Sequence, residues 1–512
     1  MLFRSPSGPF FCEDHDISYM NLSENFMLNA DFSDTEAWFS NFEKTDLKGS
    51  DFSYAKLANT NFYKADLSGS VLQNIKAFGA DFSNSTINKT SFLEAELKNT
   101  KFNNAYGDEA NFEKTLLEGA TFKNSSLIES NFKESNLDNT DFTNANLTGA
   151  NLKKSDLSGA NFTDAILDYV ILNDSIISSS TKLSPKYALV WRLNNNSLDA
   201  NDGNKLSDST KPLDLKKISL VEADISQLIF DYADFSESSL EKTDFSNSSF
   251  NNAKFVLASL NNNNFDNSDL EYALFNKSSM EKNFFINAYA PNISFEESKI
   301  DSLDANHASF NHANFKKSKI KLANFEYTDL SHASFIEANV VGANFKNSNL
   351  SQVDFTKSKI NAADFSKAQF VDTKFIETTA KNANFSENYL TEIDFSKAIL
   401  SGSNFNNANI NFANFTQADL TSAHLKGAKM HSAKLVRANL QSTDLCGTQF
   451  IGADLSYANL KDAIVDRETN FEGAKLYNTI CPDGTSSGMP GKNFMNCKNH
   501  LSLVPNHANH KK

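Results

Sequence analysis

Few side chains in this chain have the types and spacing that chemistry requires. Of nine His, His312 and His332 lie twenty residues apart, each three residues before a Phe, with His307 just upstream. Two imidazoles held about 5 Å apart, with a third beside them, are an arrangement that can bind a metal; exposed residues stacked by a repeat are the other reading. Four Cys are present, Cys12, Cys446, Cys481 and Cys497, and only the last two are close enough in sequence to suggest a bridge. A redox-sensitive or metal pair is the functional reading of those two, a cap-stabilising pair the structural one, and no His or Cys stands at zinc spacing from them. Lys316, Lys317, Lys319 and Lys321 form a small basic cluster, but Glu326 and Glu337 follow it, and a nucleic-acid groove needs a longer basic stripe with exposed aromatics. No phosphate-cradling Gly-rich loop, Gly-x-Ser-x-Gly elbow or His-Glu-x-x-His helix occurs. The sequence therefore points away from an enzyme, and it assigns no catalytic, cofactor-binding or metal-ligating residue and no cofactor.

The elements that would position these residues follow from a period of five. From Leu22 to Ile177, bulky apolar residues occupy every fifth position, with only Ala37, Ala77 and Gly107 small among 32 positions. A second run in a shifted phase passes from Leu220 to Val465, with only Ala290, Ala305 and Ala380 small among 50. An α-helix would place successive members of such a series about 140° apart and bury no face. A flat strand would send every second member to the opposite side. A short extended piece followed by a corner remains. Two positions before each central residue sits a small one, and Asp or Asn often stands between, as in Ala233-Asp234-Phe235 and Ala343-Asn344-Phe345. The first and third residues of the triplet point inward and the middle one outward, and the other two turn the corner.

A chain that turns the same way every five residues winds into stacked coils about 4.8 Å apart. In the second run Phe recurs every tenth position from 235 to 295 and from 315 to 415, with mostly aliphatic residues between. Four sides of five residues sort these into two opposite Phe columns and two aliphatic ones; three sides would mix them.

Units such as Ala65-Asp66-Leu67-Ser68-Gly69 and Ala145-Asn146-Leu147-Thr148-Gly149 resemble the pentapeptide-repeat family over roughly residues 22–177 and 220–476. The resemblance implies an all-β solenoid, a right-handed quadrilateral β-helix in two segments, here with Phe used more than the commoner Leu. Eight coils would span about 38 Å and twelve about 60 Å.

The period breaks after Ile177. Ser184 as N-cap, Pro185 at the first helical position and an apolar side of Tyr187, Val190, Trp191 and Leu193 predict a short helix that covers the end of the first core. A similar helical interruption belongs to multi-segment members of the family. Past Val465 a six-residue step leads to Phe471, and Cys481-Pro-Asp-Gly-Thr ends the coil; it is similar to the terminal element of some family members. The expected divisions are an N-terminal cap or arm (1–21), a first β-helix (22–180), a helical interruption and polar linker (181–219), a second β-helix (220–480) and a C-terminal cap and tail (481–512).

Composition limits function further. With 45 Phe against 18 Gly and 8 Pro, the chain is neither disordered nor collagen-like. No stretch approaches the roughly 18 apolar residues of a membrane span, and Met1 to Asp16 lacks a signal-peptide pattern, so a cytoplasmic protein is expected. The net charge of −15 is carried by residues 1–180 (−12) and 221–420 (−10), while 181–220 (+3) and 421–512 (+4) are basic; such a body repels nucleic acid. The expected function is a non-catalytic scaffold presenting rigid polar faces to a macromolecular partner, a protein. The resemblance adds two expectations: a secreted bacterial effector, and, as the alternative function, a DNA-mimicking modulator of a type II topoisomerase such as DNA gyrase. Mimicry has to contend with the one charge per roughly 1.7 Å of duplex DNA, far denser than −12 diluted by many Lys.

Overall fold

The computed structural model describes residues 12–195, 205–207 and 209–488. Residues 1–11 of the expected cap, 196–204 and 208 of the linker, and 489–512 of the tail, with Cys497, lie outside the described residues. The chain forms two compact units, Met1–Asp202 with Leu215–Asp224, and Gly203–Asp214 with Ile225–Lys512.

In the first unit the residue before each central one pairs, in parallel, with the residue twenty further on: Asn41 with Asn61, Asp46 with Asp66, Asp51 with Val71, Lys56 with Lys76. Twenty residues per coil is four sides of five. Phe42 N–H donates to the Asn61 carbonyl at 2.7 Å and Asn61 N–H to the Ser40 carbonyl at 2.9 Å, so each coil satisfies the backbone of its neighbour. Thr45 N–H folds back to the Phe42 carbonyl at 3.1 Å and closes the corner. The second corner residue has positive φ at every corner from Asp14 to Asp174, for example Lys44 at 55° and Gly49 at 68°. Positive φ at that position alone defines a type II turn. Asn and Gly recur in this column because they reach the left-handed region cheaply, whereas Lys44 or Phe39 enters it at a cost of about 1–2 kcal/mol that the surrounding coil offsets.

The interior is as the period requires. Phe92, Phe112 and Phe132 stack face to face at 4.8 Å, and Phe102 over Phe122 at 4.7 Å. Between the two columns, rings ten residues apart meet edge-on: Phe112 and Phe122 lie 5.5 Å apart at 87°. Each buried ring contributes roughly 1.5–3 kcal/mol and each offset pair about 0.5–1.5 kcal/mol, most of it offset by the entropy of ordering the coil. Ser or Thr at the small inward position often donates its hydroxyl to a backbone carbonyl, either of the coil below, as Thr45 to Leu22 at 2.9 Å and Ser70 to Leu47 at 2.7 Å, or of its own corner, as Thr115 to Phe112 at 2.6 Å.

The pairing of Asn161 with Lys182 spans 21 residues, one more than a coil. A helix, Pro185–Asn194, then begins after Ser184 in extended geometry and buries Tyr187, Val190 and Leu193. Trp191 Nε1 donates to the Ser175 carbonyl at 2.9 Å and Tyr187 Oη to Asp168 at 3.1 Å, tying the helix to the last coil.

The second unit repeats this plan with one change. On one wall the extended piece lengthens to three-residue strands, Ser239–Glu241, Ser259–Asn261, Ser279–Glu281, Lys299–Asp301, Lys319–Lys321 and Asn339–Val341, paired in parallel with register shifts of twenty. At two of the corners that follow these strands, a side chain of the next coil takes up the corner N–H. Thr243 N–H donates to Asn263 Oδ1 at 2.9 Å, and Asn263 N–H to Asn283 Oδ1 at 3.0 Å, all three residues being buried. The Phe columns stack at 4.6 Å (Phe245 over Phe265) and 4.5 Å (Phe255 over Phe275) and meet edge-on across the core, Phe255 against Phe265 at 89°.

At the C-terminal end the pairing Gln449 with Asn470 again spans 21 residues, and Phe450 stacks on Phe471 at 5.0 Å. Asp466 caps this wider corner, accepting the N–H groups of Gly447, Glu468 and Thr469 and the Thr469 hydroxyl at 2.8–3.1 Å. A small antiparallel bridge between Ile480 and Ser486, turned at Pro482-Asp483-Gly484, closes the last described coil.

Candidate interaction walls

The residues singled out for chemistry are placed on corners and walls. His312 and His332 stack at 4.4 Å with their planes 8° apart, but His307 stacks on Tyr327 at 4.8 Å instead, so the structure makes a pair and not a triad. Among the described residues no group of three His, Cys, Asp or Glu could hold a metal ion. Lys319 and Lys321 flank Ile320 on the strand wall, Lys321 paired with Asp301 at 3.3 Å, whereas Lys316 and Lys317 lie on the preceding corner. Burial, with the Asp31 carboxylate, raises the Cys12 thiol. Burial, a hydrogen bond to Asp444 and the carboxylates of Asp444 and Asp466 push Cys446 up to about 11. Both thiols are therefore poor nucleophiles at neutral pH. Cys481 is buried at the closing turn.

The walls themselves are ordered by side-chain ladders. Asn41 Oδ1 accepts the Glu43 N–H at 3.0 Å, bracing its own corner, and also accepts Asn61 Nδ2 at 2.8 Å from the next coil. Such runs often begin with Asp, which accepts but has no N–H to give: Asp304, Asn324, Asn344 and Asp364, Asn384, Asn404. Lys and Glu alternate at twenty-residue intervals along one corner, Lys277, Glu297, Lys317, Glu337, Lys357, Glu377, Lys397, with Lys277–Glu297 at 3.8 Å and Lys397–Glu377 at 3.2 Å.

Exposed aromatics break this pattern; the five-residue period points its Phe residues inward, whereas Phe39, Phe78 and Phe412 are exposed. In the first unit Tyr19 stacks on Phe39 at 5.3 Å, and Trp38 and Phe78 flank Ala58 two coils apart. The charges beside them are mutually paired, Lys56–Glu36 at 2.5 Å and Lys98–Glu118 at 2.6 Å. In the second unit Tyr272, Tyr289, Tyr389 and Phe412 are about half exposed or more, Tyr389 at 76%. All four project from the wall centred on Leu270, Ala290, Phe310 and every twentieth residue of those series. The signal was present in the sequence, but only when columns are read at intervals of twenty.

These features define a class: a repeat scaffold, a four-sided parallel β-solenoid with a packed aromatic spine. The pattern of the family described as "pentapeptide repeat region" matches residues 46–122, 288–365 and 308–385, and that of "pentapeptide repeats (8 copies)" matches 108–144, 140–178, 218–255, 389–427, 398–435 and 433–466. The chain belongs to the pentapeptide-repeat family. Among solved structures it is similar to HetL, a pentapeptide repeat protein involved in heterocyst differentiation regulation from the cyanobacterium Nostoc sp. strain PCC 7120, at 22% identity over 54% of this chain and 91% of that one, with a TM-score of 0.16. It is also similar to QnrB1, a plasmid-mediated fluoroquinolone resistance protein (17% identity, 41% and 92% covered, TM-score 0.20). A third is Rfr23 from the cyanobacterium Cyanothece 51142 (19%, 31% and 91%, TM-score 0.13). No curated protein matches the chain. No helix among the described residues is long and apolar enough to cross a membrane.

Proposed function

We infer that this protein is a non-catalytic scaffold whose solenoid walls bind another macromolecule, a protein. The observation that carries the reading is the division of labour along the repeat. Central and small residues are consumed by the core, so recognition falls to the outward residue and the corners, which a rigid backbone holds at fixed spacing. Cytoplasmic residence belongs to this proposal, with export as an effector as its variant. DNA mimicry is the weaker reading, because carboxylates are sparse along the walls or alternate with Lys, as from Lys277 to Lys397, whereas duplex DNA carries one charge per roughly 1.7 Å.

Two assays on the purified full chain decide between them. DNA supercoiling by gyrase is expected to be unchanged at micromolar protein, and affinity capture is expected to yield a reproducible protein partner that is lost on charge substitution along one wall. Inhibition or protection of gyrase would favour mimicry. Failure to capture any reproducible partner would reduce the solenoid to a spacer.

A further inference from the structure

Opposite walls of the second unit carry opposite charge. Residues ten apart face one another across a four-sided coil, so the strand wall, centred on Leu260 to Leu400, lies opposite the wall centred on Leu270 to Ile410. The strand wall bears six Lys (282, 299, 319, 321, 359 and 381) against Glu281 and Asp301. Over the same coils the opposite wall bears Asp269, Glu271, Asp329, Asp372 and Glu392, the stacked His312 and His332, and neither Lys nor Arg. Ion pairs of the second unit among the described residues fall elsewhere: Lys242–Glu241, Lys277–Glu297, Lys282–Glu281, Lys321–Asp301, Lys397–Glu377 and Lys475–Asp454. The acidic wall also carries the exposed rings of Tyr272, Tyr289, Tyr389 and Phe412.

We propose that this acidic and aromatic wall, free of Lys and Arg, is the docking surface of the scaffold, and that its occupant is a Lys/Arg-rich extended polypeptide segment of a partner protein lying along the coil stack. The proposal rests on the scaffold reading and adds the wall and the chemistry. Aromatic faces and carboxylates at fixed spacing are what a guanidinium or ammonium group recognises, by cation–π contact and by charge. The same unit already makes such a contact within itself: the Arg437 guanidinium sits 5.7 Å from the centre of the Tyr457 ring one coil on. Eight coils at about 4.8 Å extend roughly 34 Å, the length of an extended peptide of about ten residues. The carboxylates are too sparse for a DNA mimic but match a flexible cationic segment that can adjust to them. The Lys wall repels that segment and so fixes which side it uses.

The test is a fluorescence-anisotropy titration of the full chain with a labelled ten-residue peptide of alternating Arg and Gly, and with an Asp-Gly control. Binding of the Arg peptide but not the control is expected at 50 mM salt, weakened at least tenfold at 300 mM as the charges are screened. Tyr389→Ala, and Asp372→Asn with Glu392→Gln, are expected to weaken it at least fivefold. Glu297→Gln with Glu337→Gln, on the alternating corner, is expected to change it less than twofold. All these positions are exposed, and an unchanged thermal midpoint verifies the fold of each variant. Equal loss in both sets of variants, or no binding at 50 mM, overturns the wall assignment. A concentration-dependent oligomer abolished by Tyr389→Ala, seen by analytical ultracentrifugation, also overturns it, because the occupant is then the Lys wall of a second copy. If the wall assignment falls while affinity capture still returns a partner dependent on another wall, the scaffold reading stands without it.

Discussion

The side-chain oxygen of Asn139 lies 2.4 Å from the position a Cβ would take on Gly159, one coil further on in the same corner column. The same relation joins Asn29 to Gly49, Asn59 to Gly79 and Asn99 to Gly119, so an Asn amide leans into the space that the absent side chain leaves. Gly69 has the same backbone, φ 69° against 68°, but nothing within 4 Å. Gly69→Ala should therefore cost only the left-handed strain, about 1–2 kcal/mol. Gly159→Ala should cost roughly 1 kcal/mol more, the price of driving Asn139 from its rotamer. Urea unfolding of both variants checks this; because Asn139 is itself at positive φ, the control is Gly159→Ala in an Asn139→Ala background measured against Asn139→Ala alone, where the extra cost should vanish.

Phe122 stacks between Phe102 and Phe142 at 4.7 and 5.1 Å and meets Phe112 and Phe132 edge-on. Phe122→Ala removes the ring from a site that cannot collapse, since backbone pairing fixes the coils above and below, and about 3–5 kcal/mol is expected. Phe122→Leu keeps an apolar residue in the central position and loses mainly the ring–ring geometry, roughly 1 kcal/mol. Denaturant midpoints at unchanged slope would establish the order.

How much of this was legible follows from which interactions repeat every five residues and which every twenty. The inward placement of Phe235 or Phe345 depends only on its own pentapeptide and could be read directly. Four-sidedness needed the ten-residue Phe rhythm, which the stacked columns reproduce. The helix at Pro185 carried its own start signal. What escaped was set between coils. The Asn139–Gly159 contact and the stacking of His307 on Tyr327 rather than beside His312 are decided by neighbours twenty residues away. The acidic aromatic wall emerges only when eight non-adjacent corners are compared. The Asn263 and Asn283 side chains that take up corner N–H groups are invisible locally, because each belongs to the next coil.

The Asn ladders give a polarity to the walls that substitution can expose. Asn384 donates to Asp364 at 2.9 Å and accepts from Asn404 at 3.2 Å. Asp364→Asn keeps an acceptor at the start of the run and should be nearly silent. Asn384→Asp sets two carboxylates one coil apart with no proton between them, and like charges directly opposite cost up to about 1 kcal/mol. Repulsion raises the folded-state pKa of one of the two carboxyls, so the penalty is present at neutral pH and relieved as pH falls through that raised value. Thermal midpoints at pH 7 and pH 4.5 should show the variant recovering on acidification relative to wild type.

Acid should destabilise the wild-type first unit through Asp66 in the opposite sense. Burial alone would raise its carboxyl, but the Ser68 hydroxyl at 2.6 Å, the Lys48 ammonium at 2.9 Å and the Ser68 N–H at 3.1 Å outweigh burial and hold it below the usual carboxylate range. A group whose folded pKa is depressed stabilises fully above its unfolded value, about 3.9, and the contribution is lost as pH falls through the folded value. Lys48, raised by its bonds to Asp66 and the charge of Asp46, places the other limit in strong alkali, since its share is lost only as pH rises through its folded value. Asp141 repeats the arrangement with Thr143 and Lys123, and is likewise lowered. Asp66→Asn should thus flatten the fall in thermal midpoint between pH 5 and pH 3, and Asp66→Asn with Asp141→Asn should flatten it further. Because the two carboxyls lie on different walls several coils apart, their effects should add; a double variant no flatter than either single one would mean that acid unfolds the unit through other carboxylates.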